Sequence, residues 1–341
     1  MIPIKNIFYM LAYAFSTLNS QGYKKIETEE FENVADLCSA ILIKGVSSQI
    51  KQGLNKDYLE RDEAISSLRG KIDITQSIKE HTILRRQMYC CFDEFSTNSY
   101  MNQILKTTMG LLLRSNISLS RKKELRRLLV YFADVDTLDI NSIDWHQRYN
   151  RNNQTYRMLI SICYLVIKGL LQTQADGSTK LMDFLDDQHM HRLYEKFILE
   201  YYRKEFPDIK NSSPQIPWQI DDGYFDMLPV MQSDVVLEYR DKILIIDAKY
   251  YSHNLQIHYD SQSIHSGNLY QIFTYTKNKS LEAGSDKEVS GLLLYAKTDD
   301  FIQPDQEYSM SGNTIGVKSL DLDCDFNGIK QQLNNLVAKY F

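Results

Sequence analysis

The stretch Ile243-Leu244-Ile245-Ile246-Asp247-Ala248-Lys249 constrains this chain more than any other. Residues two apart on a strand share a face. A run that is apolar at every position therefore predicts a strand covered on both sides, as in the middle of an α/β sheet. At its end Asp247 and Lys249 project together while Ala248 points the other way. Charged groups at the end of a buried strand are costly unless they pair with each other or serve a ligand.

The flanking segments fit such a sheet. Residues 234–239 predict a strand, Arg240-Asp241 a tight turn, and 234–249 together a hairpin. A helix over about 268–278 and a strand over 289–296 then suggest a right-handed parallel crossover. Upstream, Met190, Leu193, Tyr194, Phe197, Ile198 and Tyr201 form the apolar stripe of a helix over 187–204. The C-terminal half thus reads as an α/β sheet with helices on its faces.

The N-terminal half has a different period. Ile4, Ile7, Phe8, Leu11, Phe15 and Leu18 mark an amphipathic helix, and further helices are expected over about 31–43, 99–115, 120–134 and 156–171. Residues 53–78 read as a small β-containing insertion. The small, polar segment 172–180 is the best linker. For 341 residues, at roughly 150 per domain, the expectation is two domains. These are a mainly helical one over 1–178 and an α/β one over 179–341, α+β overall.

Composition excludes several classes. The 43% apolar and 24% charged content argues against disorder. No secretory signal and no apolar run near the roughly 20 residues of a membrane span is found, so a cytoplasmic protein without a membrane partner is expected. Five scattered cysteines without a CxxC pair indicate reduced thiols rather than a zinc or redox motif. There is no GxxxxGK[ST] phosphate loop, so any nucleotide hydrolysis belongs to a partner. The net charge of −5 suggests that another subunit supplies much of any grip on DNA.

Asp234 and Asp247 suit ligation of Mg²⁺ or Mn²⁺, with the carbonyl of Ala248 as a third oxygen, and Lys249 suits orienting or deprotonating a water and contacting a phosphate. On spacing alone, an ordinary salt bridge of Lys249 with the strand carboxylates serves equally well. Gln271 and Tyr275 are four apart on one helix face, either to touch DNA phosphates or the lysine, or as the polar edge of a packed helix. Glu195 flanks the 187–204 stripe, where it either reaches a metal or is solvated. Arg121, Lys122, Lys123, Arg126 and Arg127 form a basic helix face, a contact for DNA or an acidic partner if not simply solvated. No HExxH spacing occurs, and no histidine is assigned to metal.

Asp234, Asp247-Ala248-Lys249 and Gln271-Ile272-Phe273-Thr274-Tyr275 resemble the PD-(D/E)xK nuclease core and its trailing QxxxY helix. The PD of that motif stands here as Ser233-Asp234. Nearly the whole chain is similar to the McrC family of restriction-nuclease subunits, through Ile2-Pro3-Ile4-Lys5-Asn6-Ile7-Phe8-Tyr9-Met10-Leu11-Ala12-Tyr13-Ala14, Arg69-Gly70-Lys71-Ile72, Asn102 and Leu193-Tyr194-Glu195-Lys196-Phe197. The resemblance implies a restriction-endonuclease-like C-terminal domain with Asp234 and Asp247 as metal ligands and Lys249 as the catalytic lysine. It implies an N-terminal part that docks on a hexameric McrB-like AAA+ GTPase and stimulates it. That partner would bind GTP, recognise modified cytosine in double-stranded DNA and translocate it, while this chain cuts. A stand-alone or repair-type nuclease and a non-cleaving activator of a GTPase are the alternatives.

Overall fold

The computed structural model describes residues 2–19, 23, 26–150, 153–173, 179–181, 187–251, 255–258, 261–298 and 302–341. In chain order, α1 (Ile4–Ala14), α2 (Val34–Gln52), β1 (Asp57–Ile65), β2 (Lys71–Asp73), α3 (Ile74–Lys79), β3 (Met88–Ser96), α4 (Tyr100–Arg114), α5 (Leu119–Leu129) and α6 (Gln154–Tyr164) precede two short strands, β4 (Leu171–Thr173) and β5 (Thr179–Leu181). Then follow α7 (Asp187–Glu205), β6 (Lys210–Ser212), β7 (Gln215–Ile216), β8 (Met231–Gln232), β9 (Val235–Tyr239), β10 (Lys242–Lys249), β11 (Leu255–His258), β12 (Ser261–Ile264), α8 (Ser266–Ala283), β13 (Glu288–Ala296), β14 (Gln306–Met310), β15 (Asn313–Leu320) and α9 (Phe326–Tyr340). No helix among the described residues is long and apolar enough to cross a membrane.

The chain forms two compact units, one of Met1–Val34 with Phe184–Phe341 and one of Ala35–Asp183. This differs from a division into 1–178 and 179–341, because α1 packs with the C-terminal elements. The Asn6 amide donates to the carbonyls of Leu322 and Cys324, both at 2.8 Å. The Tyr13 hydroxyl donates to Glu205 at 2.7 Å, and its ring meets Phe197 and Tyr201 of α7. Amphipathic spacing reveals that α1 has a buried face but not which core receives it. The helix also ends at Ala14, where Phe15 turns extended, and a 3-10 turn over Ser16–Asn19 replaces the expected continuation to 18.

In the 35–183 unit, β1, β3 and β2 form an antiparallel sheet in that order, with β3 in the middle. β3 went unread because Met88-Tyr89-Cys90-Cys91-Phe92 has no clean alternation. Gly70, at φ 62°, enters β2 so close to β3 that a Cβ would lie 2.2 Å from the carbonyl oxygen of Cys91, so glycine is required there. The insertion is tied to the helices by buried polar groups. Tyr156 accepts from the Asn55 N–H at 2.8 Å and donates to Asn102 at 2.9 Å, and Asn102 donates to the carbonyls of Asn55 and Thr97. Most of the expected linker, residues 174–178, lies outside the described residues. Its flanks pair antiparallel as β4 and β5.

The other unit is built on a six-stranded mixed sheet, β14-β15-β13-β10-β9-β6. β10 pairs antiparallel with β9 and parallel with β13, as the hairpin and crossover predict. Arg240 makes the hairpin turn with φ 54°. The crossover helix α8 covers one face, where Ile243, Ile245, Ile272, Leu293, Ile315 and Val317 share a core. α7 packs on β9 and β10, and α9 on β15. The Tyr202 hydroxyl, buried on α7, donates to the Leu333 carbonyl of α9. Gly291 of β13 lets α8 approach: a Cβ there would lie 2.4 Å from Thr276 Oγ1 and 2.9 Å from Ile272. Strands β14 and β15 and helix α9 were not read from the sequence.

Candidate active site

The two central strands bring the sequence-predicted residues together. Asp234 immediately precedes β9, and its Oδ2 accepts the backbone N–H of Ala248 at 2.8 Å. Asp247 and Lys249 project side by side from the end of β10, with Nζ of Lys249 at 3.1 Å and 2.9 Å from the two oxygens of Asp247. The same Nζ donates to Gln271 Oε1 at 3.2 Å, and Gln271 Nε2 donates to the Tyr275 hydroxyl at 3.0 Å. Gln271 therefore faces the lysine, and Tyr275, buried in the core beneath α8, reaches it only through Gln271. Asp247 is 1% exposed and Lys249 7%.

Two further residues come from α7, beside the end of β10. His191 Nδ1 accepts the N–H of Tyr250 at 3.3 Å, and its Nε2 lies 3.0 Å from Glu195 Oε1. A ring nitrogen that accepts a backbone N–H is unprotonated, so Nε2 carries the proton that holds Glu195. His191 thus fixes the Glu195 carboxylate against the strand end. No metal-ligand or catalytic motif marks this role in sequence, because His191 and Glu195 form an i,i+4 pair of unlike residues on one helix face. On the other flank, the Tyr251 hydroxyl donates to Asn268 Oδ1 at 3.3 Å, and Asn268 donates to the buried Tyr295 hydroxyl at 2.9 Å.

The electrostatics show a shortage of positive charge. Burial, with the charges of Asp247 and Glu195, pushes the Asp234 carboxyl up to about 8. Burial also raises Asp247, against the pull of Lys249. Glu195 is raised by burial, with Lys249 opposing and Asp247 adding to the shift. Burial pulls Lys249 down, but the carboxylate of Asp247 outweighs it and the net shift is upward. His191 is lowered by burial and by the nearby Lys249 and Arg192. One ammonium faces three acids, so a plain salt bridge leaves most of their charge unanswered.

Among the described residues no group of three or more His, Cys, Asp or Glu converges closely enough to hold a metal by itself. Asp234 and Asp247 do fit a hard divalent cation that keeps several waters. Asp247 Oδ2 is buried without a hydrogen-bond donor, since its contact with Lys249 is ionic but out of hydrogen-bond alignment. A shared proton or a cation is what that oxygen lacks. For Ala248, the structure accounts for the N–H through Asp234, while its side chain is fully buried.

A mixed sheet between helices, with two aspartates and a lysine where its central strands end, defines an α/β protein of the restriction-endonuclease-like kind. The chain belongs to the family described as the McrBC 5-methylcytosine restriction system component, whose model matches residues 4–296. It is similar to the Type IV methyl-directed restriction enzyme EcoKMcrBC of Escherichia coli (strain K12), with 28% identity over 347 residues, 99% of this chain and 98% of the relative. The fold is also similar to a chain in the refined half-complex from the tetradecameric assembly of Thermococcus gammatolerans McrB AAA+ hexamers with bound McrC. There the TM-score is 0.52 at 17% identity, covering 98% of this chain and 76% of that one.

Proposed function

We propose that this chain is the cleaving subunit of a GTP-dependent, modified-cytosine-specific restriction complex in the cytoplasm. A hexameric McrB-like AAA+ GTPase would recognise and translocate the double-stranded DNA, and this chain would hydrolyse the phosphodiester. The observation that carries the reading is Lys249 held between Asp247 and Gln271, with Asp234 beside them, in a chain whose family match spans 4–296.

Asp234, Asp247 and the Ala248 carbonyl would hold Mg²⁺ or Mn²⁺. When bound, the metal supplies positive charge at the scissile phosphate and to the attacking water. The chain's own contribution centres on Lys249. Its ammonium has three donors. One points to Asp247 and one to Gln271. The third is left for a phosphate oxygen or the incoming water. With Asp247 beside it the lysine stays protonated, so its role is to orient and to stabilise charge rather than to remove a proton. Glu195, held by His191, is the carboxylate placed to accept the proton that the water loses as its oxygen attacks phosphorus and the leaving oxygen departs. Tyr275 orients Gln271.

Docking on the partner is assigned to the N-terminal part, in which residues 35–183 form a unit of their own while α1 packs with the C-terminal elements. That unit exposes Tyr58 and Phe95, whose rings lie 5.0 Å apart, together with Ile74, Ile78 and Leu84.

The test is cleavage of cytosine-methylated and unmethylated plasmid with Mg²⁺ and GTP, with and without the AAA+ protein encoded beside this one. Cutting that requires partner, GTP and methylation, and vanishes in Asp247→Ala, is the expected result. Cutting by this chain alone would favour a stand-alone nuclease. GTPase stimulation without cutting would favour a non-cleaving activator.

A further inference from the structure

We propose that the outer face of α5 is a contact for the phosphodiester backbone of duplex DNA. The proposal rests on the reading of this chain as a DNA-cleaving subunit, and starts from the way α5 is anchored. Leu125 is fully buried, and Arg121 is tied to Asp36 of α2 at 2.9 Å, where Asp36 also accepts the Ser118 N–H at 3.1 Å. The face opposite this anchor carries Lys122, Lys123, Arg126 and Arg127. The last three are exposed and Lys122 is partly so. Among the described residues none of these four side chains makes a hydrogen bond or ion pair.

These cations stand in two adjacent rows, Lys122 with Arg126 and Lys123 with Arg127. Like charges four apart on a helix repel each other. Glu124 is the only acid on α5 and offsets at most one of them, while the chain as a whole is acidic at −5. A helix of this length spans about 16 Å, enough to follow two or three phosphates along one strand. Phosphate oxygens accept from both guanidinium and ammonium donors.

The arrangement also selects between polyanions. A protein partner's footprint has an apolar centre and a polar rim. The α5 face is the reverse: its cations occupy the middle, and exposed Leu119 stands at one end with Val130 and Tyr131 at the other. Central cations without an apolar core match a backbone that is charged throughout.

The experiment measures binding of the full chain, carrying Asp247→Asn and without metal, to a fluorescein-labelled duplex of about 30 base pairs by anisotropy, from about 50 to 200 mM KCl. Replacing Lys122, Lys123, Arg126 and Arg127 together by alanine is expected to weaken binding at the low-salt end by about 10- to 100-fold. It should also flatten the dependence of log affinity on log salt by roughly 2 to 4, at about 0.9 for each lost phosphate contact. The milder charge-removing pair Arg126→Gln and Arg127→Gln should flatten the slope by roughly 2, and decides the matter should the fourfold variant unfold by circular dichroism, an unaltered slope in it overturning the contact. Unchanged affinity and slope in the fourfold variant would overturn the contact. So would weaker binding at unaltered slope, or loss of AAA+ partner binding with DNA binding intact, which would make the face an acidic-protein contact. Cleavage by the Asp247-intact chain with its partner, run in parallel, separates the two readings. An α5 variant that binds DNA normally while the parent cuts removes this contact alone, and slope loss in a chain that never cuts removes the nuclease reading alone.

Discussion

Lys249 donates to Gln271 across 3.2 Å, joining the end of β10 to helix α8. Without that bond the ammonium has only Asp247 to rest on, and would fold onto it and away from substrate. Gln271→Ala should therefore lower the single-turnover cleavage rate by about 10- to 100-fold, the usual effect of removing a group that orients an active-site residue. Tyr275→Phe, which removes only the hydroxyl that steadies Gln271, should cost less than Gln271→Ala. Equal rates for Gln271→Ala and the parent would show that the lysine needs no such support.

The acidic pair should make the metal-free protein less stable as pH rises. A carboxyl whose folded pKa is raised keeps its proton in the folded state after the unfolded chain has lost it. Its stabilising contribution is therefore complete below the unfolded value of 3.8 and is lost as pH climbs towards the folded value of about 8 for Asp234. Thermal unfolding in EDTA should show stability falling across that window. Asp234→Asn should flatten the fall and gain on the order of 2 kcal/mol at pH 8, where the native pair is most strained. Mg²⁺ should raise the Tm of the parent at pH 8 and leave that of Asp247→Asn unmoved. A parent protein indifferent to both pH and Mg²⁺ would mean that the carboxyls are neither stressed nor available.

His191 offers a test of how Glu195 is held. His191→Ala releases a carboxylate that the histidine now fixes at 3.0 Å. Cleavage should fall about tenfold or more, with a higher Mg²⁺ concentration for half-maximal rate. His191→Gln, which keeps an amide donor near the Nε2 position, should recover part of the loss. If the alanine and glutamine variants match each other, the histidine contributes packing only.

What could be read beforehand was whatever a short window contains. The Ile243–Ile246 run fixed a central strand, and the two-residue turn at Arg240-Asp241 fixed its antiparallel neighbour, so Asp234, Asp247 and Lys249 were brought to one place by local rules. Gln271 and Tyr275 followed from helical spacing. His191 was missed because its function depends on the N–H of Tyr250, 59 residues away. β3 was missed because its nine residues lack alternation, and β14, β15 and α9 because their pairing is set by the sheet they join. The placement of α1 is the largest gap of this kind: a helix stripe says that something covers it, not what.

Gly291 is where the sheet sets the position of α8. A methyl group there would press on Thr276 and Ile272, both fully buried. Gly291→Ala should cost about 1–3 kcal/mol, as overpacked cores do, and should lower cleavage beyond its effect on folding, because displaced α8 carries Gln271 with it. Urea unfolding measured alongside single-turnover cleavage at saturating Mg²⁺ separates the two effects. Loss of stability with an undiminished rate would show that Gln271 tolerates movement of its helix.

The placement of α1 can be tested through Asn6, which is 3% exposed and donates to two carbonyls more than 300 residues away in sequence. Asn6→Leu is similar in size but offers no donor, so it leaves the Leu322 and Cys324 oxygens without their partner in a buried setting. Leaving buried acceptors unpaired costs about 1–3 kcal/mol. The loss should fall on the unit that carries the acidic site and not on the 35–183 unit. Hydrogen exchange read by mass spectrometry should show α9 and β15 opening faster, with α2, α4 and α6 unchanged. It follows that a fragment of residues 184–341 should fold poorly alone and recover when residues 1–34 are fused to it. An independently stable 184–341 fragment would mean that α1 decorates that unit without helping to build it.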